Sequence, residues 1–167
     1  GKPVEAVIYD TEAQPERAAQ LAERLIMRDC VIGIVGGVQD DVAEAIKQVT
    51  ERYGVPFIVV EATADSLTSD KPHSLFRIAP AATMAARMQA DWLTSVGDYN
   101  RDGMVTALMI AENTPAGDAA VANVERWMPA AGINLETLRV DVPATDYSPQ
   151  IARIVGMENA PDAAFLF

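Results

Sequence analysis

The chain has 167 residues, half of them apolar, which is enough to build a packed core and argues against disorder. Its 13 Lys and Arg against 24 Asp and Glu leave a net charge of −11, a surface that repels nucleic acid and anionic membrane. No apolar run is long enough to cross a bilayer, so no direct membrane insertion is expected, and the lone Cys30 and lone His73 exclude an internal disulfide, a His-based catalytic triad and a Cys/His metal cluster.

The first residues, GKPVE, carry no signal-peptide pattern and lead straight into a short β-branched run at 4–9, read as a strand. Ala18, Leu21, Ala22, Leu25 and Ile26 then recur at helical spacing, with Pro15 suited to a first turn. The unbroken apolar runs 31–35 and 55–60 read as strands buried on both faces of a parallel sheet. Between them lies a helix marked by Val42, Ala45, Ile46 and Val49, which Asp40 or Asp41 can cap and Gly54 with Pro56 can stop. Residues 61–75 are loop, residues 75–78 form a short strand, and Pro80 marks a corner.

A helix follows with Ala85, Met88, Trp92 and Val96 on one side, then the alternation restarts: strand 104–110, helix 118–128, strand 135–142. Ser148 and Pro149 suit the start of a last helix, and 163–167 reads as a buried strand. Strand and helix alternating in this way predict an α/β fold with parallel sheets and right-handed crossovers. The division is expected near Pro80, with residues 1–79 as a βαβαβ unit and 80–167 as an αβαβαβ unit. Because the chain stops inside a predicted strand, it is read as a piece of a longer protein.

Four segments, "GVPFIVVEATADSLT" at 54–68, "FRIAP" at 76–80, "ENTPAG" at 112–117 and "ATDYSPQIARI" at 144–154, stand in a telling order and spacing. On these the sequence resembles the periplasmic solute-binding proteins of the branched-chain amino acid (Leu/Ile/Val-binding) type. It implies two Rossmann-like lobes of the type I periplasmic binding protein fold, both incomplete in this chain, with ligand held in the cleft between lobes. The implied partners are a small polar solute and a membrane ABC transporter permease, the implied location periplasmic or extracytoplasmic, and the full-length protein a monomer. No cofactor, metal or catalytic residue is expected.

The candidate ligand residues are Gly37, Val38, Gln39 and Asp40 in the turn after the second predicted strand, Glu61, Ala62 and Thr63 after the third, and Thr114, Pro115 and Ala116 in the second lobe. Paired glycines let backbone approach a ligand, and free amides at a helix start hold polar groups. Each turn also has a plain reading: an Asp cap at Asp40, a Thr bonded within its own turn at Thr63, Pro-Gly turn chemistry at 115–117. The resemblance favours contact. Relatives usually place small hydroxyl residues where Gln39 and Asp40 stand, and a carboxylate there suits an ammonium, amide or hydroxyl-bearing ligand.

Residues 98–103, D-x-N-x-D-G, match the first half of an EF-hand loop, but position twelve is Met109, so a solvated turn is expected. Cys30 reads as a small core residue, His73 as exposed, and both Trp92 and Trp127 as packing residues. Arg77 is expected to pair with an acidic side chain. The leading function is solute capture for an ABC importer, with a ligand-sensing domain of a receptor or regulator as the alternative on the same fold. An α/β enzyme is disfavoured by the missing phosphate loop and the absence of a nucleophile–base pair.

Overall fold

A computed structural model describes residues 3–157 and 159–167. They form two compact units, Gly1–Ala81 and Ala82–Phe167.

In the first unit, helix α1 (Pro15–Met27) precedes strand β1 (Ile34–Gly36), helix α2 (Asp40–Tyr53), strand β2 (Phe57–Val59), the single turn α3 (Ser66–Ser69) and strand β3 (Leu75–Arg77). The sheet is parallel with order β1-β2-β3, pairing Ile34 with Phe57 and Phe57 with Leu75. Each strand is added on the same side of the last, so right-handed crossovers place their helices on one face. That face is the core: Ala18 and Ala22 of α1, Val42, Ala43 and Ile46 of α2, then Phe57, Val59 and Leu67. Lys47 is also buried there, its ammonium held by the Ser66 carbonyl at 3.1 Å and Asp70 at 3.0 Å.

Several expectations fail in this unit. Apolar runs 31–35 and 55–60 were expected to be buried on both faces, yet Val35, Ile58 and Phe76 point to the open face and are exposed. Nothing among the described residues of this unit covers that face, so strand alternation leaves one side bare. Residues 4–9 form no strand either. A cavity of about 590 Å³ is lined by residues 3–8 and 29–35, and Val4, Ile8 and Ile32 are exposed. Cys30, four residues before β1, is exposed with φ +54° and is not a core residue.

The second unit contains α4 (Ala82–Val96), β4 (Thr106–Glu112), α5 (Pro115–Trp127), a 3₁₀ turn at Pro129–Ala131, β5 (Asn134–Val140), α6 (Ser148–Val155) and β6 (Ala163–Leu166). Its parallel sheet has order β5-β4-β6. Central β4 is apolar from Ala107 to Ala111 and buried along most of its length, as a strand flanked on both edges requires. Ala86, Ala90 and Leu93 of α4 and Val121 and Val124 of α5 pack on Ala107, Met109 and Ala111. The order reverses after β5, which sends α6 to the opposite face by the same handedness rule; none of its residues is buried.

The buried face of α4 consists of Ala86, Ala90 and Leu93. The stripe of Met88, Trp92 and Val96 read from the sequence is exposed instead. Trp92 keeps one edge-to-face contact with Phe165, centroids 6.2 Å apart, while Trp127 is half-buried beneath the guanidinium groups of Arg87 and Arg126.

Candidate functional site: the strand-end turns

In the first unit the turns leaving β1 and β2 are bonded to one another. The Gly36 carbonyl accepts from Val60 N–H at 3.0 Å, and the Gly37 carbonyl accepts from Glu61 at 3.3 Å and Ala62 at 3.1 Å. Gly37 has φ +79°, and a Cβ there would meet Ala43 Cβ at 3.0 Å and Phe57 Cζ at 3.2 Å. Glycine is therefore what lets this turn close over the core before α2 begins.

Asp40 is not the helix cap. Gln39 occupies that position with no side-chain bond, and Asp40 is the first helical residue. Its carboxylate crosses to the neighbouring turn, where Oδ1 accepts from Thr63 N–H at 2.7 Å and Ala64 N–H at 2.9 Å. From the other side Arg77, the last residue of β3, donates through Nη1 to the Thr63 carbonyl at 3.4 Å and through Nη2 to the Ala64 carbonyl at 2.7 Å. All four backbone polar groups of Thr63 and Ala64 are thus held by two side chains of opposite charge. Arg77 was expected to meet an acidic side chain; it meets carbonyl oxygens, because the turn brings two of them to the end of its strand.

The candidate residues of this unit fall into distinct environments. Val38, Gln39, Asp40 and Glu61 are exposed, Gly37 and Thr63 half-buried, and the Ala62 side chain is in the core at 1% exposure, leaving only its backbone for contact. A cavity of about 290 Å³ between residues 7–11 and the β1–α2 turn is lined by Asp10, Thr11, Gly37, Val38 and Gln39. Asp10 and Thr11 were not among the candidates from sequence.

The second unit builds its own turn after β4. Asn113 N–H donates to the Val140 carbonyl at 2.8 Å and its amide Nδ2 donates to Asp141 at 2.6 Å. Thr114 caps α5, its Oγ1 accepting from Gly117 N–H at 3.1 Å. Gly117 has no alternative, since a Cβ there would sit 2.1 Å from the Glu112 carbonyl oxygen. Arg139 donates to that same carbonyl at 3.0 Å and to Asp118 at 2.8 Å. Ala116 is exposed; Pro115 opens the helix, and its side chain lies outside the described residues.

The 98–103 loop turns its acceptors inward. Asp98 accepts from Asp102 N–H at 3.1 Å and Gly103 N–H at 2.8 Å, and Asp102 accepts from Met104 N–H at 3.0 Å. Asp162 closes the loop onto the sheet, accepting from Tyr99, Asn100 and Thr106 N–H. The Thr106 bond foremost, then those of Asn100 and Tyr99, hold its carboxyl below its ordinary range. Likewise Glu51 is held below its ordinary range by the Ser74 hydroxyl, with His73 and Ser74 N–H assisting. Among the described residues no group of three or more His, Cys, Asp or Glu is placed to hold a metal, and no helix is long and apolar enough to cross a membrane.

The sequence profile of the periplasmic binding protein family matches residues 1–167. Leu/Ile/Val-binding protein homolog 7 of Brucella abortus is 29% identical over 119 residues, which is 68% of this chain and 29% of the relative. Among solved structures, an ABC transporter substrate-binding protein from Sphaerobacter thermophilus superposes with TM-score 0.81 at 28% identity, over 100% of this chain and 45% of that one. A solute-binding protein of an ABC transporter from Rhodopseudomonas palustris BisB5, in complex with 3,4-dihydroxybenzoic acid, gives TM-score 0.76 at 24% identity, over 99% of this chain and 44% of that one. The chain spans less than half the length of each of these three proteins. With a profile match along its whole length and two parallel α/β units, the chain belongs to the periplasmic binding protein family.

Proposed function

We propose that this chain is part of the extracytoplasmic solute-binding component of an ABC importer, and that its strand-end turns supply part of the surface for a small polar solute. The single observation that carries this reading is the braced turn of the first unit. Open α/β sheets receive ligands at the carboxyl ends of their strands, and here three consecutive strands end in a turn whose backbone is fixed from both sides by Asp40 and Arg77. A turn fixed before the ligand arrives loses little freedom on binding. Among the described residues the Thr63 hydroxyl has no partner of its own, so it can both donate to and accept from a solute. Gln39, Asp40, Glu61 and the backbone of Gly37, Val38 and Ala62 complete this surface, and Thr114, Pro115 and Ala116 are its counterpart in the second unit. No bond is made or broken in such a protein, and the permease of the importer is its partner.

A thermal-shift screen of the full-length protein across amino acids, amides, polyamines and aromatic acids tests this. At least one class should raise the melting temperature in a saturable way, and Thr63→Val should weaken that ligand by roughly 1–3 kcal/mol, the cost of stranding its polar partner. Ligand binding with undiminished affinity in Thr63→Val would remove the turn from the site.

A further inference from the structure

The two N–H groups of Thr63 and Ala64 converge on one oxygen. Successive backbone N–H groups aimed at a single point form a receptor for an anionic oxygen, and in this protein it is filled from within by Asp40 Oδ1 at 2.7 and 2.9 Å. Arg77 grips the carbonyls of the same two residues, so the turn cannot swing its N–H groups to another acceptor without breaking those bonds. The carboxylate is exposed, and so are its neighbours Asp41 and Glu61; Asp41 is itself engaged by Val42 N–H at 2.8 Å. The cation that reaches this turn, Arg77, is half-buried and bonded to carbonyl oxygens.

We propose that Asp40 sets the charge of the ligand group accepted at this turn: its carboxylate occupies the Thr63–Ala64 donor pair, excludes a ligand carboxylate from that place and admits a neutral or cationic group. This rests on the reading of the turn as a solute-binding surface and narrows it to a class. The solutes that fit are those presenting an ammonium, amide or hydroxyl here. A carboxylate would face Asp40, Asp41 and Glu61 with its natural donors already taken.

Two measurements on the full-length protein test the assignment. Acetate, compared with chloride at equal ionic strength, probes the donor pair directly. Asp40→Ala vacates it, so acetate should raise the melting temperature of that variant by a few degrees and leave wild type and Asp40→Asn unmoved. Absence of an acetate response in folded Asp40→Ala overturns the proposal. Matched pairs then probe the ligand: leucine against leucinamide and benzoate against benzamide, by calorimetry. Wild type should favour the amide member at least tenfold, and Asp40→Ala should lose or invert that preference. Should Asp40→Ala not fold, Asp40→Asn keeps an acceptor without the charge, and its preference should narrow by the same comparison. Carboxylates bound as tightly as amides by wild type, or a ratio unchanged in the variants, sinks the role of Asp40 while leaving solute binding intact. No binding of any probe by wild type or variants overturns both readings together.

Discussion

Asp162 is a single side chain on which two separate segments depend, and its removal should be felt at a distance in sequence. Its Oδ2 accepts from Thr106 N–H at 2.8 Å, while Oδ1 accepts from Tyr99 at 2.7 Å and Asn100 at 3.1 Å. Thr106 is 1% exposed, so its N–H has no water to turn to, whereas Tyr99 and Asn100 are exposed and can be hydrated. A buried donor left unsatisfied costs about 1–3 kcal/mol, and that one bond dominates. Asp162→Ala should therefore destabilise the second unit by about that amount, and Asp162→Asn by less, because its remaining oxygen serves only one of the two segments.

The pH dependence follows from the bond to the charged form. The folded-state pKa lies below the ordinary 3.8, chiefly through Thr106 N–H, so this contribution is present above that value and is lost as pH falls through the folded pKa. Wild type and Asp162→Ala should differ fully at neutral pH and converge in acid, below about pH 4. Urea denaturation at several pH values gives the energies, and amide hydrogen exchange at Thr106 gives the local opening. A loss under about 0.5 kcal/mol with unchanged exchange at Thr106 would refute the reasoning, since surface substitutions without a special role fall in that range.

Three further outcomes are expected. Gly117→Ala should destabilise α5 against β4: alanine gains about 1 kcal/mol of helix propensity, but its Cβ would lie 2.1 Å from a backbone oxygen that cannot yield, and a stability equal to wild type by denaturant titration would contradict that geometry. Calorimetry at millimolar calcium should give no saturable heat, because the 98–103 carboxylates already accept backbone N–H groups; a one-site isotherm abolished by Asp98→Ala would prove the loop a cation site. Cys30 should react with a thiol reagent in the native state at nearly the rate of a free thiol, being exposed, and protection until unfolding would show that it is covered.

The pattern of alternating apolar runs and helical stripes contains the α/β class and nearly every element, because both periods are local properties of the chain. Thus α1 starts at Pro15 as a first-turn proline predicts, β2 lies inside 55–60, and β5 lies within two residues of 135–142 at either end. The candidate turns are legible for the same reason: each lies where an apolar run gives way to Gly, Thr, Asp or Pro. What local pattern cannot hold is the neighbour. An apolar run is equally compatible with a strand buried on two faces and one with a bare side, so Val35 and Ile58 were misplaced, as were Cys30 and residues 4–9.

The same limit governs the site. Sequence spacing puts Asp40 at a helix start and Arg77 at a strand end, and each has an ordinary local explanation there. Their common task, gripping the Thr63–Ala64 turn from opposite sides, spans 23 and 14 residues along the chain and exists only once three parallel strands bring their ends together. Composition, charge and periodicity decided that this is an acidic, parallel α/β protein with strand-end turns. Tertiary structure alone decided which side chain holds which turn, because hydrogen bonds between distant segments depend on where strands end in space.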